Sequence, residues 1–327
     1  MQILSHANYN FLRWKWHAIA LSAAVILGGL AMIATKGLPL GIDFSGGTLI
    51  VVQFEQPITE EQVRNAVDPL PGEEVVQQYG EVSERRMLIR LPQTEGAVEG
   101  NSLEQASMQV EQALAKASLP KFTIVNRELV SAVIGRDLQL RGIYATLASL
   151  LAITIYIGIR FRFSFAVGAI VATLHDVLVT VAFLVFFGYD LSLNVVAAIL
   201  TITGYSVNDT IVIFDRVREN LRSRRREPLD KIVNESVNQT LSRTIITAGT
   251  TFLSVLSIFL FGGEALRGFA FTMLVGIVSG TYSTIFIASA IAIILSAGTA
   301  RRTAAAASPT DAAAGQGGKK QKRARAS

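Results

Sequence analysis

Six apolar runs, each long enough to cross a bilayer, decide what this chain can fold into. A transmembrane helix needs about 20 largely apolar residues. Such runs occur near 16–35, 141–159, 163–187, 191–214, 244–262 and 268–296. Half of the 327 residues are hydrophobic, and they are clustered rather than periodic, which excludes an ordinary soluble domain. The first run has a basic start, "RWKW", as a signal peptide would. Its apolar part is longer than a usual signal core, and "AMIATKG" lacks a small-x-small cleavage site, so it reads as a retained anchor. The sequence has no cysteine, which removes disulfides, thiolate metal sites and thiol catalysis from consideration.

Lysine and arginine in the short connections set the orientation. Arg13 and Lys15 precede the first run, and Arg160 and Arg162 separate the second from the third. Arg216, Arg218, Arg222, Arg224, Arg225, Arg226 and Lys231 lie between the fourth and fifth, and Arg301 and Arg302 follow the sixth. On the other side "FGYDLSL" has no basic residue and "FGGEALRG" only Arg267. Both termini are therefore expected in the cytoplasm. The chain divides into a cytoplasmic N-terminus with the first span (1–35), an external segment (36–140), five further spans (141–296) and a basic tail (297–327).

The external segment is too long for a structureless connection. A strand is expected near 47–55 and a helix near 59–67, with Thr59 and Gln62 in a capping-box pattern. Strands follow near 74–81 and 85–91, then a helix near 102–117 capped by Ser102, and a last strand, "KFTIVNREL". The order β-α-β-β-α-β is that of a ferredoxin-like α+β domain. The polar stretch "QTEGAVEGNS" before the second helix reads as a loop.

The tail, ending "GGKKQKRARAS", has low complexity and little to bury, so it is expected to be disordered. A basic run beside a membrane helix fits anionic lipid headgroups. Nucleic acid is the less favoured partner for it. "GIDFSGGTLI" invites a phosphate-loop reading, but no helix and no Lys-Ser/Thr pair follow. Its glycines instead let the chain turn from membrane helix into strand, with positive φ and Asp43 as a cap. "FTMLVGIVSGTYS" places Gly276 and Gly280 at the spacing that favours close helix packing.

Two polar groups stand inside the spans. His175 and Asp176 fall near the middle of the third, where ionisable residues face the bundle interior or water. Three histidines in all, two of them near the N-terminus, do not make a metal site. The pair reads as a polar helix contact or as part of a proton path. Asp209 lies in the fourth span beside Asn208, with Gly204 and Ser206 allowing a neighbour to approach. It falls about 9 Å inside the expected end of that span. Arg243, at the expected start of the fifth, is its natural counter-charge. Asp215 borders the arginine run and reads as an interfacial charge. A carboxylate that loses its cation in an apolar setting takes up a proton, and one that regains the cation releases it. A fixed pair and a switching pair use the same residues.

The stretches "GIDFSGGT", "TLHDVLVT", "ITGYSVNDTIVIFDRVREN", "LSRTIITAGTTFLSVLSIFLFGG" and "LRGFAFTMLVGIVSGTYSTIFIAS", in this order along six spans, resemble the SecF family. Its members are the smaller partner in bacterial SecDF export complexes, within the resistance-nodulation-division (RND) superfamily. The resemblance covers roughly residues 10–296; one departure is Ala290, where the family pattern has proline. It implies an α-helical membrane protein forming half of an RND-type bundle, with SecD as the other half. It implies no enzyme activity. The complex would use the proton-motive force in the bacterial inner membrane to draw unfolded preproteins from the SecYEG translocon. Protons would be the coupling ion, with no other cofactor. Asp209 matches the family's essential carboxylate and Arg243 a functional basic residue. Asn208 lies in the same motif, and His175 and Asp176 match a polar pair. The alternatives are an RND-type exporter half for small molecules or lipids, and a non-transporting translocon scaffold.

Overall fold

Long apolar runs build the membrane bundle, and short apolar strands with capped helices build the domain between its first two spans. The computed structural model describes residues 8–70, 75–80, 82–91, 102–117, 119–130, 132–224 and 226–306. The loop near 93–101, the side chain of Ser102 and the basic run of the tail lie outside the described residues. A 3-10 turn, Phe11–Trp14, leads into α1 (Lys15–Lys36) and a short α2 (Ile42–Ser45). The external domain runs β1 (Gly47–Phe54), α3 (Glu60–Val67), β2 (Val75–Tyr79), β3 (Arg86–Leu91), α4 (Ser102–Lys116) and β4 (Phe122–Val130). Then come α5 (Ala132–Arg160), α6 (Phe163–Phe187), α7 (Leu193–Ser223), α8 (Leu229–Phe261) and α9 (Glu264–Ser283). A π-helical segment, Thr284–Ala288, carries α9 directly into α10 (Ser289–Ala306). Among the described residues six helical spans are long and apolar enough to cross a membrane.

The sheet order is β2-β3-β1-β4, and every pair is antiparallel. This is the ferredoxin-like arrangement, with α3 and α4 covering the face of Ile50, Val52, Phe54, Met87 and Ile89. The capping box forms: Gln62 N donates to Thr59 Oγ1, and Thr59 N donates to Gln62 Oε1 at 3.0 Å. Gly46 and Gly47 take φ of 69° and 115°, conformations that side chains disfavour, and so turn the chain from α2 into β1. Asp43 caps, but across the fold: its carboxylate accepts from Leu193 N, at the start of α7, at 2.8 Å.

The domain stands on the α6–α7 loop. Gly41 N donates to Leu191 O at 2.8 Å, and Leu191 N to Pro39 O at 2.7 Å. Arg90 on β3 pairs with Asp190 and donates to Leu40 O.

Hydropathy placed the third span to the residue but cut others short: the second begins at Ala132 rather than near 141, inside the segment expected to be external. The fourth continues to Ser223 and the fifth begins at Leu229. The extra turns are amphipathic: Ile232, Val233, Ser236, Val237, Thr240 and Leu241 recur at helical spacing and are buried. They form a polar hairpin in which Asn220 Nδ2 donates to Ser236 Oγ at 2.8 Å and Arg216 to Gln239 Oε1 at 2.6 Å. Arg243 is therefore well inside α8, not at its start. Gly204 does not serve as an approach point either, because a Cβ there would meet open space.

Other small residues do bring helices together. A Cβ on Gly276 would meet Ile202 at 2.2 Å, and one on Gly280 would meet Ser206 at 2.9 Å, so α9 lies tightly on α7. At Gly168 a Cβ would come within 2.6 Å of the Ala288 carbonyl oxygen, in the π segment. Backbone cannot yield as a side chain does, so Gly168→Ala should cost about 1–3 kcal/mol. A fall of several degrees in the unfolding midpoint of the detergent-solubilised protein is expected. An unchanged midpoint would contradict this packing.

Candidate functional site

The bundle interior holds a polar cluster built on α6. Asp176 is 1% exposed, and both of its oxygens are saturated. Oδ2 accepts from Ser206 of α7 at 2.5 Å and Ser283 of α9 at 2.8 Å. Oδ1 accepts from Ser279 of α9 at 2.7 Å and lies 3.0 Å from His175 Nδ1. A carboxylate has about four acceptor positions, and here each has a partner. The other imidazole nitrogen, Nε2, lies 2.8 Å from Ser22 Oγ on α1. Ser22 reaches the Tyr282 hydroxyl at 3.3 Å, and that hydroxyl donates to Ala18 O at 2.7 Å. One helix turn along, Thr210 and Thr284 share a 2.9 Å hydrogen bond. The cluster joins α1, α6, α7 and α9 through one anion.

Asp209 has a different environment. It is 4% exposed, one turn from Ser206 on α7, and its Oδ2 has no hydrogen-bond partner among the described residues. Arg243 is level with it: each lies fourteen residues from its end of the α7–α8 hairpin, Ser223 and Leu229 respectively. The ion pair expected between them is not formed. Arg243 is exposed on the flank of α8, makes no ion pair among the described residues, and acts on Asp209 only through its field. Level residues on paired helices meet only if both are rotated toward the shared seam, and Arg243 is rotated outward. Asn208 is exposed on the same outer side. Asp215 is interfacial as expected, held by Arg160 at 2.7 Å.

The site thus has two parts that the residue types suggested but did not distinguish. Asp176 is a donor-saturated anion, which suits a fixed structural charge. Asp209 is an enclosed carboxylate with an unused oxygen and an exposed, unpaired cation at its own level among the described residues, an arrangement open to reversible protonation. Ser22, Ser279, Ser283 and Tyr282 were not anticipated. Ser279 and Ser283 carried a signal, four residues apart on one helix face, but a serine among glycines reads first as a packing residue.

The family model for the SecD/SecF protein export membrane protein, C-terminal, matches residues 109–298, and the model for the SecD/SecF GG motif matches 31–58. The latter includes Gly46 and Gly47, the pair with positive φ. Protein translocase subunit SecF of Desulfurispirillum indicum is 41% identical, over 85% of this chain and 89% of its own length. The Rhodothermus marinus subunit is also 41% identical, over 92% and 98%, and that of Escherichia coli O157:H7 is 37% identical, over 89% and 90%. The crystal structure of SecDF, a translocon-associated membrane protein from Thermus thermophilus, superposes with a TM-score of 0.79 at 33% identity. The match covers 90% of this chain and 40% of the solved one, so the chain spans about two fifths of that protein. The GG turn, the ferredoxin-like domain, the six spans and the near-complete alignment agree: the chain belongs to the SecF branch of the SecD/SecF family of protein-export membrane proteins.

Proposed function

We propose that the chain is one half of a proton-driven export unit, paired with a SecD-type chain in the bacterial inner membrane beside SecYEG. There it helps complete the passage of unfolded preproteins. The observation that carries this reading is Asp209: a carboxylate enclosed in an apolar span, with a free oxygen and a cation level with it but out of contact. A structural charge would be bonded, as Asp176 is. In this reading Asp209 takes a proton while Arg243 is away and releases it when Arg243 swings in. Asn208 shares the outer face with Arg243, and the buried His175–Asp176 pair lies on the inner side of α7, one turn from Asp209 through Ser206. Work comes from the gradient, so no bond chemistry and no cofactor beyond the proton is required.

The outer face supports a second half. α7 exposes Thr201, Gly204 and Asn208, and α8 exposes Arg243, Thr250 and Ser254. The threonine and serine hydroxyls bond their own helices, as Thr250 does to Ile246 O at 2.9 Å. Arg243 has no such outlet, and an arginine facing lipid costs about 2.5–3.5 kcal/mol on the insertion scale. A partner bundle covering this face removes that cost. The external domain, anchored through Arg90 and the Leu191 backbone to the start of α7, is the element that movement at Asp209 would reach. In the tail, the basic run favours anionic headgroups over nucleic acid.

The positive-inside distribution supports a cytoplasmic location for both termini. Gln105 on α4 and Ser223 at the end of α7 are exposed, and the chain has no cysteine of its own. With Gln105→Cys and Ser223→Cys made singly, an impermeant thiol reagent outside spheroplasts should label only the first. Labelling of the second would reverse the topology. The function itself is tested by following export of a secreted reporter, with and without the gradient, in cells with and without the chain, beside a drug-exclusion assay. The reading requires loss of the gradient-dependent share of export and unchanged drug exclusion. The opposite pattern would identify a small-molecule exporter half.

A further inference from the structure

At the basic end of the bundle, the two-residue turn between α5 and α6 faces the last turns of α7. Two adjoining cavities open there, of about 540 and 250 Å³, with Arg160 and Arg218 lining both. The larger is polar and includes Asp215, Glu219 and Arg222. The smaller has an aromatic floor of Phe161, Phe165 and Phe214 and is rimmed by Arg162. That floor is firm: Phe165 and Phe214 pack edge to face at 5.0 Å and are 6% and 1% exposed.

The charges do not cancel. Asp215 is engaged by Arg160 at 2.7 Å, and Glu219 by Arg216 at 2.7 Å. The side chains of Arg162, Arg218 and Arg222 have neither an ion pair nor a hydrogen bond among the described residues, and all three are exposed. Arg218 and Arg222 share one face of α7, a turn apart, and Arg162, just before α6, lines the aromatic cavity beside Arg218. Arg218 lines both cavities, Arg222 the polar one and Arg162 the aromatic one, so the three guanidinium groups border one continuous polar-to-aromatic cleft.

The level of this place in the molecule selects its ligand. α5 ends at Arg160, α6 begins at Phe163, and α7 turns from apolar to charged at Asp215, so the cavities sit where headgroups meet hydrocarbon. We infer that they form a binding site for one anionic phospholipid, its phosphate held by Arg162, Arg218 and Arg222 and its glycerol and upper acyl segments on the phenylalanine floor. Guanidinium matches phosphate in a forked geometry that ammonium lacks, and basic pockets between membrane helices suit such headgroups. The site rests on the membrane-spanning fold alone, so it stands or falls independently of the export reading.

The test uses the full chain with its co-purifying partner in mild detergent. Phosphatidylglycerol and phosphatidylcholine are titrated separately, and bound lipid is counted by native mass spectrometry. Wild type should retain phosphatidylglycerol in clear preference. Each basic residue near an anionic headgroup is worth roughly fivefold in affinity, so Arg162→Ala/Arg218→Ala/Arg222→Ala should weaken that binding on the order of a hundredfold and leave phosphatidylcholine unchanged. Millimolar inorganic phosphate should not displace the lipid, because it gains nothing from the aromatic floor. Equal retention of the two lipids by wild type would overturn the site, as would unchanged preference in the triple variant or displacement by phosphate. If the triple variant does not accumulate, the exposed single changes Arg162→Glu and Arg222→Glu decide, and either one leaving the preference intact would count against the site.

Discussion

Asp209→Asn is expected to abolish the gradient-dependent share of export while the chain accumulates at close to its normal level. Asparagine keeps the size and an oxygen acceptor but cannot carry a proton through a charge cycle. The structure makes the second half of the expectation specific. Arg243 does not bond Asp209 in this conformation, so the substitution strands no partner, and no large folding penalty of the kind that follows breaking a buried ion pair arises. Export should fall to the level seen without a gradient. Asp209→Glu should keep part of the activity, because it still titrates but places its carboxyl one methylene further out. Had the pair been a static support, Asp209→Asn would instead lower abundance, with export falling in proportion. Reading membrane abundance and export in the same cells separates the two.

Asp176→Ala should have the opposite signature, a collapse of abundance. It removes an acceptor that serves Ser206, Ser279, Ser283 and His175 at once, from three helices. Hydrogen bonds within bilayers average only about 0.6 kcal/mol each, but four donors stranded in a closed interior add a desolvation cost. A total of about 2–5 kcal/mol is expected. That is enough to lower steady-state abundance several-fold. Asp176→Asn should be much milder, since its oxygen still accepts and the serine hydroxyls can rotate to accept from its amide. Thermal aggregation midpoints of solubilised membranes would show the order wild type, Asn, Ala. Normal accumulation of the Ala variant would mean that the cluster is not what holds α6, α7 and α9 together.

These two carboxylates show how far the sequence could be read. Hydropathy located α6 to the residue, because Phe163–Phe187 is apolar from end to end. The external domain was legible for a different reason: its strands are short runs rich in valine, isoleucine and leucine set between turn residues, and Thr59 with Gln62 marks a helix start that local bonding alone enforces. The hydropathy signal failed where α7 and α8 leave the apolar zone, since a helix with one polar face has no sustained apolar run. The site was half visible. A charged residue within an apolar run identifies itself, and the antiparallel hairpin put Arg243 within reach of Asp209, though at the start of its span rather than level with it as the longer helices place it. Rotation about the helix axis is not fixed by that arrangement, so the absence of their contact was not foreseen. The role of Asp176 was hidden for a related reason, because its donors lie 30, 103 and 107 positions away on helices whose facing is set only by packing. Gly276 and Gly280 bring α9 against α7, and that approach is what delivers Ser206, Ser279 and Ser283 to one anion.

The central claim is that protons pass through Asp209 to drive the unit. Its most direct test is proton entry into proteoliposomes that hold the chain with its SecD-type partner and an internal pH dye, under an imposed gradient. Wild-type vesicles should acidify faster than protein-free ones, and Asp209→Asn vesicles, reconstituted at equal density, should match the protein-free rate. Equal acidification by wild type and Asp209→Asn would contradict the assignment of Asp209 as the proton carrier.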